Sequence, residues 1–446
     1  MKKALLTTAA ATALAALLAG CGGGAPAPSS SATGQPTSTP ATTAPAAPVT
    51  LNLWSWDPNL DKIVDVWNKA NPDIQVKISD NSTGGEELVA KILTAHSSGD
   101  AADIVKVEYQ QLPSLIAGGA AADISSYVPD AASKFTPGAF AQVNFDGKTY
   151  GLPQDFAPLV FFYREDILKK HGIAVPTTWD EYAKAARDLH KADPKVWLGT
   201  FSAADSGWFT GLAQQAGANW WSVSNNTWNV KINDDASKKV ADYWQGLIGE
   251  GVIKGDPFWT PQWNTEMNDG TIAGWVSGAW APAQLPTIAP DGAGKWKMTA
   301  LPAWTAGDKT TGIWGGSAYA VTTDSKYPEQ AAKFVSWLNT SDEALSMQIN
   351  TINVFPSALS GQQLPDLATP PAFMKNQTDY YKLTAEIAQS ARSFDIWGPN
   401  ATVMDAAYQD GFKKAIQDKG SFSAALDSMQ KSVVDDMKKK GFTLAG

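Results

Sequence analysis

Apolar Val49, Leu51 and Leu53 alternate with polar Thr50 and Asn52, which predicts a strand. The break Trp54-Ser55-Trp56-Asp57-Pro58-Asn59 follows. Leu60, Ile63, Val64 and Trp67 then recur at helical spacing, and Asn71-Pro72 stops the helix. Ile74, Val76 and Ile78 alternate as a second strand. Residues 86–98 read as a helix with Leu88, Val89, Ile92 and Leu93 on one face and Gly99 as terminator. Ile104–Val107 is a third, more buried strand, ending at Glu108-Tyr109. Strand and helix alternating in this way imply a mostly parallel sheet covered by helices.

The pattern resumes further on. Leu159–Tyr163 is a β-rich run, and Thr178-Trp179-Asp180-Glu181 reads as a capping box opening a helix through Leu189. Ile272–Val276 and Ala318–Val321 read as short strands. The latter precedes a helix with Pro328 in its first turn and Ala331, Phe334, Val335 and Leu338 on one face. Leu426, Met429, Val433 and Met437 mark a C-terminal helix. In open α/β sheets, ligands bind beyond the carboxyl ends of strands. That rule selects Trp54, Trp56 and Asp57 after the first strand and Glu108 after the third. Asp57 also suits a helix cap.

The N-terminus changes the picture. Met1-Lys2-Lys3 and the apolar run Ala4–Ala19 form a secretory signal, too short to span a bilayer, which takes about 20 apolar residues. It ends at Leu18-Ala19-Gly20-Cys21, which resembles the lipobox of bacterial lipoproteins and assigns Cys21 as a lipidation site. Cys21 is the chain's one cysteine, so no intrachain disulfide forms. Residues 22–48 are Gly, Ala, Pro, Ser and Thr with few exceptions and no charge, and read as a flexible tether of about 30 Å. Signal 1–20 and tether 21–48 together predict an exported protein anchored to the outer face of the membrane, not spanning it.

The remaining length allows about two domains. The formal charge of −9 becomes −11 once Lys2 and Lys3 are removed, which argues against nucleic acid as a partner. Nineteen tryptophans are unusual. Trp54, Trp56, Trp208, Trp220, Trp221, Trp259, Trp263, Trp314 and Trp397 stand outside helical periodicity, beside Gly, Asn, Asp or Ser. As a set they suggest an indole-lined cleft. With carboxylates nearby, it suits a polyhydroxy ligand, because indole faces pack sugar C–H groups while carboxylates accept from hydroxyls.

Several blocks resemble the family 1 extracellular solute-binding proteins of ABC importers: Trp54-Ser55-Trp56, Gly151-Leu152-Pro153-Gln154-Asp155, Phe162–Leu168, Pro176–Tyr182, Met267–Trp275 with Trp280, and Trp314-Gly315-Gly316-Ser317. The resemblance runs from about Val49 to Lys440. It implies an α/β, two-lobed periplasmic-binding-protein-like fold, each lobe a mainly parallel sheet flanked by helices, with a hinge crossed more than once. Lobe one would be 49–155 and 316–372, lobe two 156–315 and 373–446. Ligand-binding positions implied by the resemblance are Trp54, Trp56, Asp57, Glu108, Gln154, Asp155, Trp208, Trp280, Trp314, Gly315, Gly316 and Trp397, with Trp221 and Trp259 as extra candidates. Trp67, Trp179, Trp275 and Trp337 read as core.

The implied role is capture of an oligosaccharide and delivery to ABC permease subunits by a monomer without cofactor or metal. Two alternatives stand beside it: another polar solute such as a polyol or nucleoside, or a secreted glycoside hydrolase using a carboxylate pair among Asp57, Glu108 and Asp155. His96, His171 and His190 lack metal-ligand spacing, and there is no nucleophile elbow or phosphate loop.

Overall fold

The alternating residues of Val49–Trp54 form β1, with Leu51 and Leu53 fully buried. The computed structural model describes residues 48–80 and 85–445, so the signal, Cys21 and the tether to residue 47 lie outside the described residues. Eleven further strands follow: β2 (Ile74–Asp80), β3 (Ile104–Glu108), β4 (Asn144–Phe145), β5 (Lys148–Thr149), β6 (Leu152–Pro153), β7 (Leu159–Arg164), β8 (Trp221–Ser224), β9 (Thr227–Val230), β10 (Gly274–Gly278), β11 (Trp296–Ala300) and β12 (Ser317–Val321). Strands β4–β5 and β8–β9 are small two-stranded hairpins.

The first main sheet has the order β2-β1-β3-β12-β6. Leu51 pairs with Val76 in parallel, and Leu53 with Ile104, also in parallel. Period-two alternation gives the sheet two apolar faces. Leu51, Leu53 and Ile104 pack with Leu60, Ile63, Val64 and Trp67 of helix Leu60–Ala70 and with Phe334, Val335 and Leu338 of helix Pro328–Thr340. Trp67 meets Phe334 edge-on at 5.3 Å between ring centres. Val105 and Val107 face the other way, onto Leu88, Val89 and Ile92 of helix Gly85–Ser98.

The second sheet, β10-β7-β11, is antiparallel throughout, with Phe162 opposite Trp275 and Met298. Its core runs from Phe161 through Tyr182, Trp208 and Trp244 to Met429 and Met437 of helix Phe422–Lys439. The chain leaves the first sheet after β6, returns to it at β12, and after Ala358 sends the C-terminal helices back into the second core.

The expectation of mainly parallel sheets therefore holds only for β2-β1-β3. Strand β12 enters its sheet at the end where β3 leaves it, Ser317 pairing with Glu108, so it must run the other way. Strand β7 likewise starts at the crossing, while β10 runs back toward it. Strand–helix alternation in sequence does not encode these directions when the connections are long. The strand expected at Ile272–Val276 lies at Gly274–Gly278. Trp208 and Trp263, expected to stand outside helical periodicity, lie in helices Ser206–Ala216 and Pro261–Asp269. Among the described residues no helix is long and apolar enough to cross a membrane.

Candidate ligand-binding cleft

Strand ends from both sheets meet at one cleft of about 470 Å³, within the ~300–1,000 Å³ typical of small-molecule sites. Strand β1 delivers Trp56 and Asp57, β3 delivers Lys106 and Glu108, and Asp155 and Ser317 flank the crossings. From the second sheet's side come Trp280, just beyond β10, with Asp205, Trp259, Gln284 and Trp314. Asn353, the left-handed cap of helix Asp342–Ile352, closes one edge.

Asp57 and Lys106 form a buried ion pair, their side chains only 4% and 5% exposed. Asp57 Oδ2 also accepts from Tyr319 Oη at 2.5 Å and Gln154 Nε2 at 2.8 Å. Gln154 in turn donates to Gln348 Oε1 at 2.8 Å. The Lys106 ammonium lies 4.6 Å from the Trp56 ring centre, a cation–π arrangement that fixes the indole plane. This network satisfies Asp57 with protein donors. Asp155 differs: its Oδ1 accepts from Ser317 N (2.9 Å) and Ser317 Oγ (2.7 Å) at the mouth of β12. Burial raises the Asp155 carboxyl above its usual range, and Lys106 partly offsets this.

The opposite wall is aromatic. Trp280 packs 4.9 Å from Trp314 and 6.0 Å from Trp259, the latter pair only 30° from parallel. Trp263 and Trp275 back the group. The Trp280 indole N–H donates to Trp314 O at 2.8 Å. Trp259 is 42% exposed and has a backbone φ of +68°, a left-handed conformation that is an outlier for a bulky residue. Asp205 caps helix Ser206–Ala216, its Oδ1 accepting from Trp208 N at 3.1 Å, and the indole N–H groups of Trp314 and Trp259 also point to its carboxyl. Burial pushes that carboxyl up to about 6 against these donors.

Gly315 (φ +85°) and Gly316 (φ +94°) cross between the two walls. A Cβ on Gly315 would lie 2.9 Å from the Trp280 indole nitrogen, and one on Gly316 2.7 Å from Tyr109 Cε2. Gly316→Ala is thus expected to cost about 1–3 kcal/mol in backbone strain alone, with Tyr109 displaced, measured as a fall in the urea unfolding midpoint. A midpoint matching the wild type would show that the crossing tolerates a side chain.

A sequence profile of the bacterial extracellular solute-binding proteins matches residues 54–344, well over half of the chain. The chain belongs to this family. The arabinooligosaccharide-binding protein of Bacillus subtilis (strain 168) is 26% identical over 291 residues, 63% of this chain and 66% of that protein, so the match spans just under two thirds of its length. Among solved structures, the galacto-N-biose-/lacto-N-biose I-binding protein of an ABC transporter from Bifidobacterium longum, in complex with lacto-N-biose, is similar with a TM-score of 0.81. It is 28% identical and covers 90% of this chain and 100% of that one. The ABC transporter associated binding protein from B. animalis subsp. lactis Bl-04, in complex with beta-1,6-galactobiose, gives a TM-score of 0.80, with 25% identity and coverage of 89% and 99%. The two-lobed α/β architecture of these solute-binding proteins is the fold of this chain.

In this solute-binding protein the cleft brings together Trp56, Asp57, Glu108, Asp155, Trp259, Trp280, Trp314, Gly315 and Gly316. It does not bring in the other five. Trp54 packs beside the first sheet under Lys91, 4.5 Å from the ring centre. Gln154 is buried behind Asp57. Trp208 is fully buried, its indole donating to Val276 O at 2.9 Å. Trp221 is equally buried, against Trp397. Trp397 donates to Gln142 Oε1 at 2.9 Å and borders a small recess behind Gly316. Sequence reasoning passed over Lys106 and Asp205. Lys106 is one charge in the apolar run Ile104–Val107, which is a usable signal because a lysine inside a buried strand needs a partner. Asp205 reads simply as a helix cap. Among the described residues no group of three or more His, Cys, Asp or Glu side chains is placed to hold a metal ion.

Proposed function

We propose that this solute-binding protein is the exported, lipid-anchored capture component of an ABC importer, taking an oligosaccharide between two lobes and delivering it unaltered to the permease. Lobe one is 49–155 with 316–372, and lobe two is 156–315 with 373–446. The observation that carries this reading is the cleft itself: indole plates Trp56, Trp259, Trp280 and Trp314 stand among carboxylates Glu108, Asp155 and Asp205. Plates hold sugar ring faces and carboxylates take hydroxyl protons, each such bond contributing about 1.5–3 kcal/mol. The relatives named above are sugar-binding proteins, which supports the same ligand class. Lipid on Cys21 and a tether to residue 48 would hold the binding domain near the permease. Ligand contacts from both sides of the cleft favour the closed arrangement, which is how a binding event becomes a signal to the importer.

Titration calorimetry against di- to tetrasaccharides, followed by chromatography of the sugar, tests this. The expected result is saturable binding and recovery of intact sugar. Released monosaccharide, or silence from every sugar, overturns the reading.

Asp205 adds a pH dependence. Its ionised form accepts sugar hydroxyls, so affinity is expected to stay level above pH 7 and to fall as pH drops through about 6, by up to about tenfold per pH unit. The sign for folding is the reverse. A raised carboxyl pKa contributes stability that is present below the unfolded value and lost as pH rises through about 6. Calorimetry from pH 5 to pH 8 checks the first statement, and an affinity unchanged across that range contradicts it.

A further inference from the structure

The charges in the cleft narrow the ligand class, provided the sugar-binding reading above holds. Among the described residues, four carboxylates line the cleft, Asp57, Glu108, Asp155 and Asp205, against a single cation, Lys106. Lys106 is committed: its ammonium pairs with Asp57 and lies over the Trp56 ring. Asp155 is held by the neutral donors of Ser317, with Lys106 lying near enough to offset part of its charge. Asp205 is held by neutral donors: the backbone N–H groups of Trp208 and Gly207 and the indole N–H groups of Trp314 and Trp259. Neither Asp155 nor Asp205 forms an ion pair among the described residues. Aromatic walls keep the local dielectric low, so charge–charge forces here exceed those in open water. Asp205 also sits beside Trp259, the plate most exposed to an arriving ligand.

We propose that this cleft selects saccharides by charge, admitting neutral and amine-bearing oligosaccharides and rejecting those that carry uronate, sulfate or phosphate, with Asp205 as the residue that sets the discrimination. An anionic substituent entering beside Trp259 and Trp314 meets Asp205, which has no ion-pair partner among the described residues, and like charges in a desolvated site repel strongly. An ammonium in the same place gains from the carboxylate and from the indole faces. Specificity of this kind is repulsive, directed against the wrong ligand as much as toward the right one.

The test is calorimetry at pH 7.5 on matched sets of galactose-, glucose- and mannose-based di- to tetrasaccharides. Each is supplied as the neutral sugar, its C6 uronate and its 2-amino derivative. In every set that binds, the uronate is expected to be about 100-fold weaker than the neutral sugar and the amine no weaker. In Asp205→Asn the uronate-to-neutral gap is expected to shrink by about tenfold, while Asp205→Glu keeps it. The gap is a ratio, so a general loss of affinity or fold in either variant does not imitate the effect. A uronate within threefold of its neutral partner overturns the charge selection and leaves the sugar-binding reading standing. An Asp205→Asn variant with an unaltered gap removes Asp205 from the role. Absence of binding by every member of every set overturns both.

Discussion

Replacing Lys106 by methionine is expected to lower the unfolding free energy by about 3–5 kcal/mol, among the largest effects for a single surface-lining residue. Lys106 and Asp57 are both almost fully buried, and among the described residues the ammonium is the one positive charge paired with that carboxylate. Methionine fits the volume and keeps the apolar stem but leaves the Asp57 carboxylate buried without its cation. The donors from Tyr319 and Gln154 remain and hold the loss toward the lower end of the range. The double variant Lys106→Met/Asp57→Leu removes both charges and is expected to recover most of the loss, since a buried pair often adds little over apolar residues of similar size. Urea unfolding of the wild type, the single and the double variant reads this directly. A single variant within about 1 kcal/mol of wild type would show that water reaches Asp57.

Trp280→Ala is expected to weaken oligosaccharide binding by about 2–4 kcal/mol, or about 30- to 1,000-fold. The indole both offers a plate to the cleft and props its neighbours, since it lies against Trp314 and Trp259 and donates to Trp314 O. Gly315 leaves space for it where any Cβ would press on the indole nitrogen. Trp280→Phe keeps a plate and loses the N–H donor, so it is expected to fall between wild type and alanine. Calorimetry of the three proteins against one sugar makes the comparison. Equal affinity in all three would remove Trp280 from the site.

How much of this was readable from sequence depended on whether the signal was local. Val49, Leu51 and Leu53 announce β1 by alternation, and Thr178 does cap its helix, accepting from Glu181 N at 3.2 Å. Glu181 reaches back to the cap residue's backbone N–H, as a capping box does, and accepts from Thr177 N and Thr177 Oγ1 as well, an addition that spacing alone does not reveal. The strand-end rule, which needs no relative, selects Trp54, Trp56, Asp57 and Glu108; the last three line the cleft, while Trp54 packs beside the first sheet. Trp208 and Trp280 could not be told apart in this way. Each follows a small residue, yet Trp208 enters a helix buried on nearly every side while Trp280 lies just beyond the end of β10, at the cleft. Long-range geometry decides between them, just as it decides that β12 runs against β3. Asp205 was hidden for a different reason. A cap residue and a ligand-facing carboxylate look alike in sequence, and this side chain serves as the first while lining the cleft.

The central claim is that an oligosaccharide occupies the cleft between the two sheets. A crystal structure of the protein with the tightest-binding neutral sugar tests it most directly. The account predicts sugar rings stacked on Trp280 and Trp259, with hydroxyls donating to Asp155 and Asp205. A sugar seated elsewhere on the molecule, with these four side chains untouched, would contradict it.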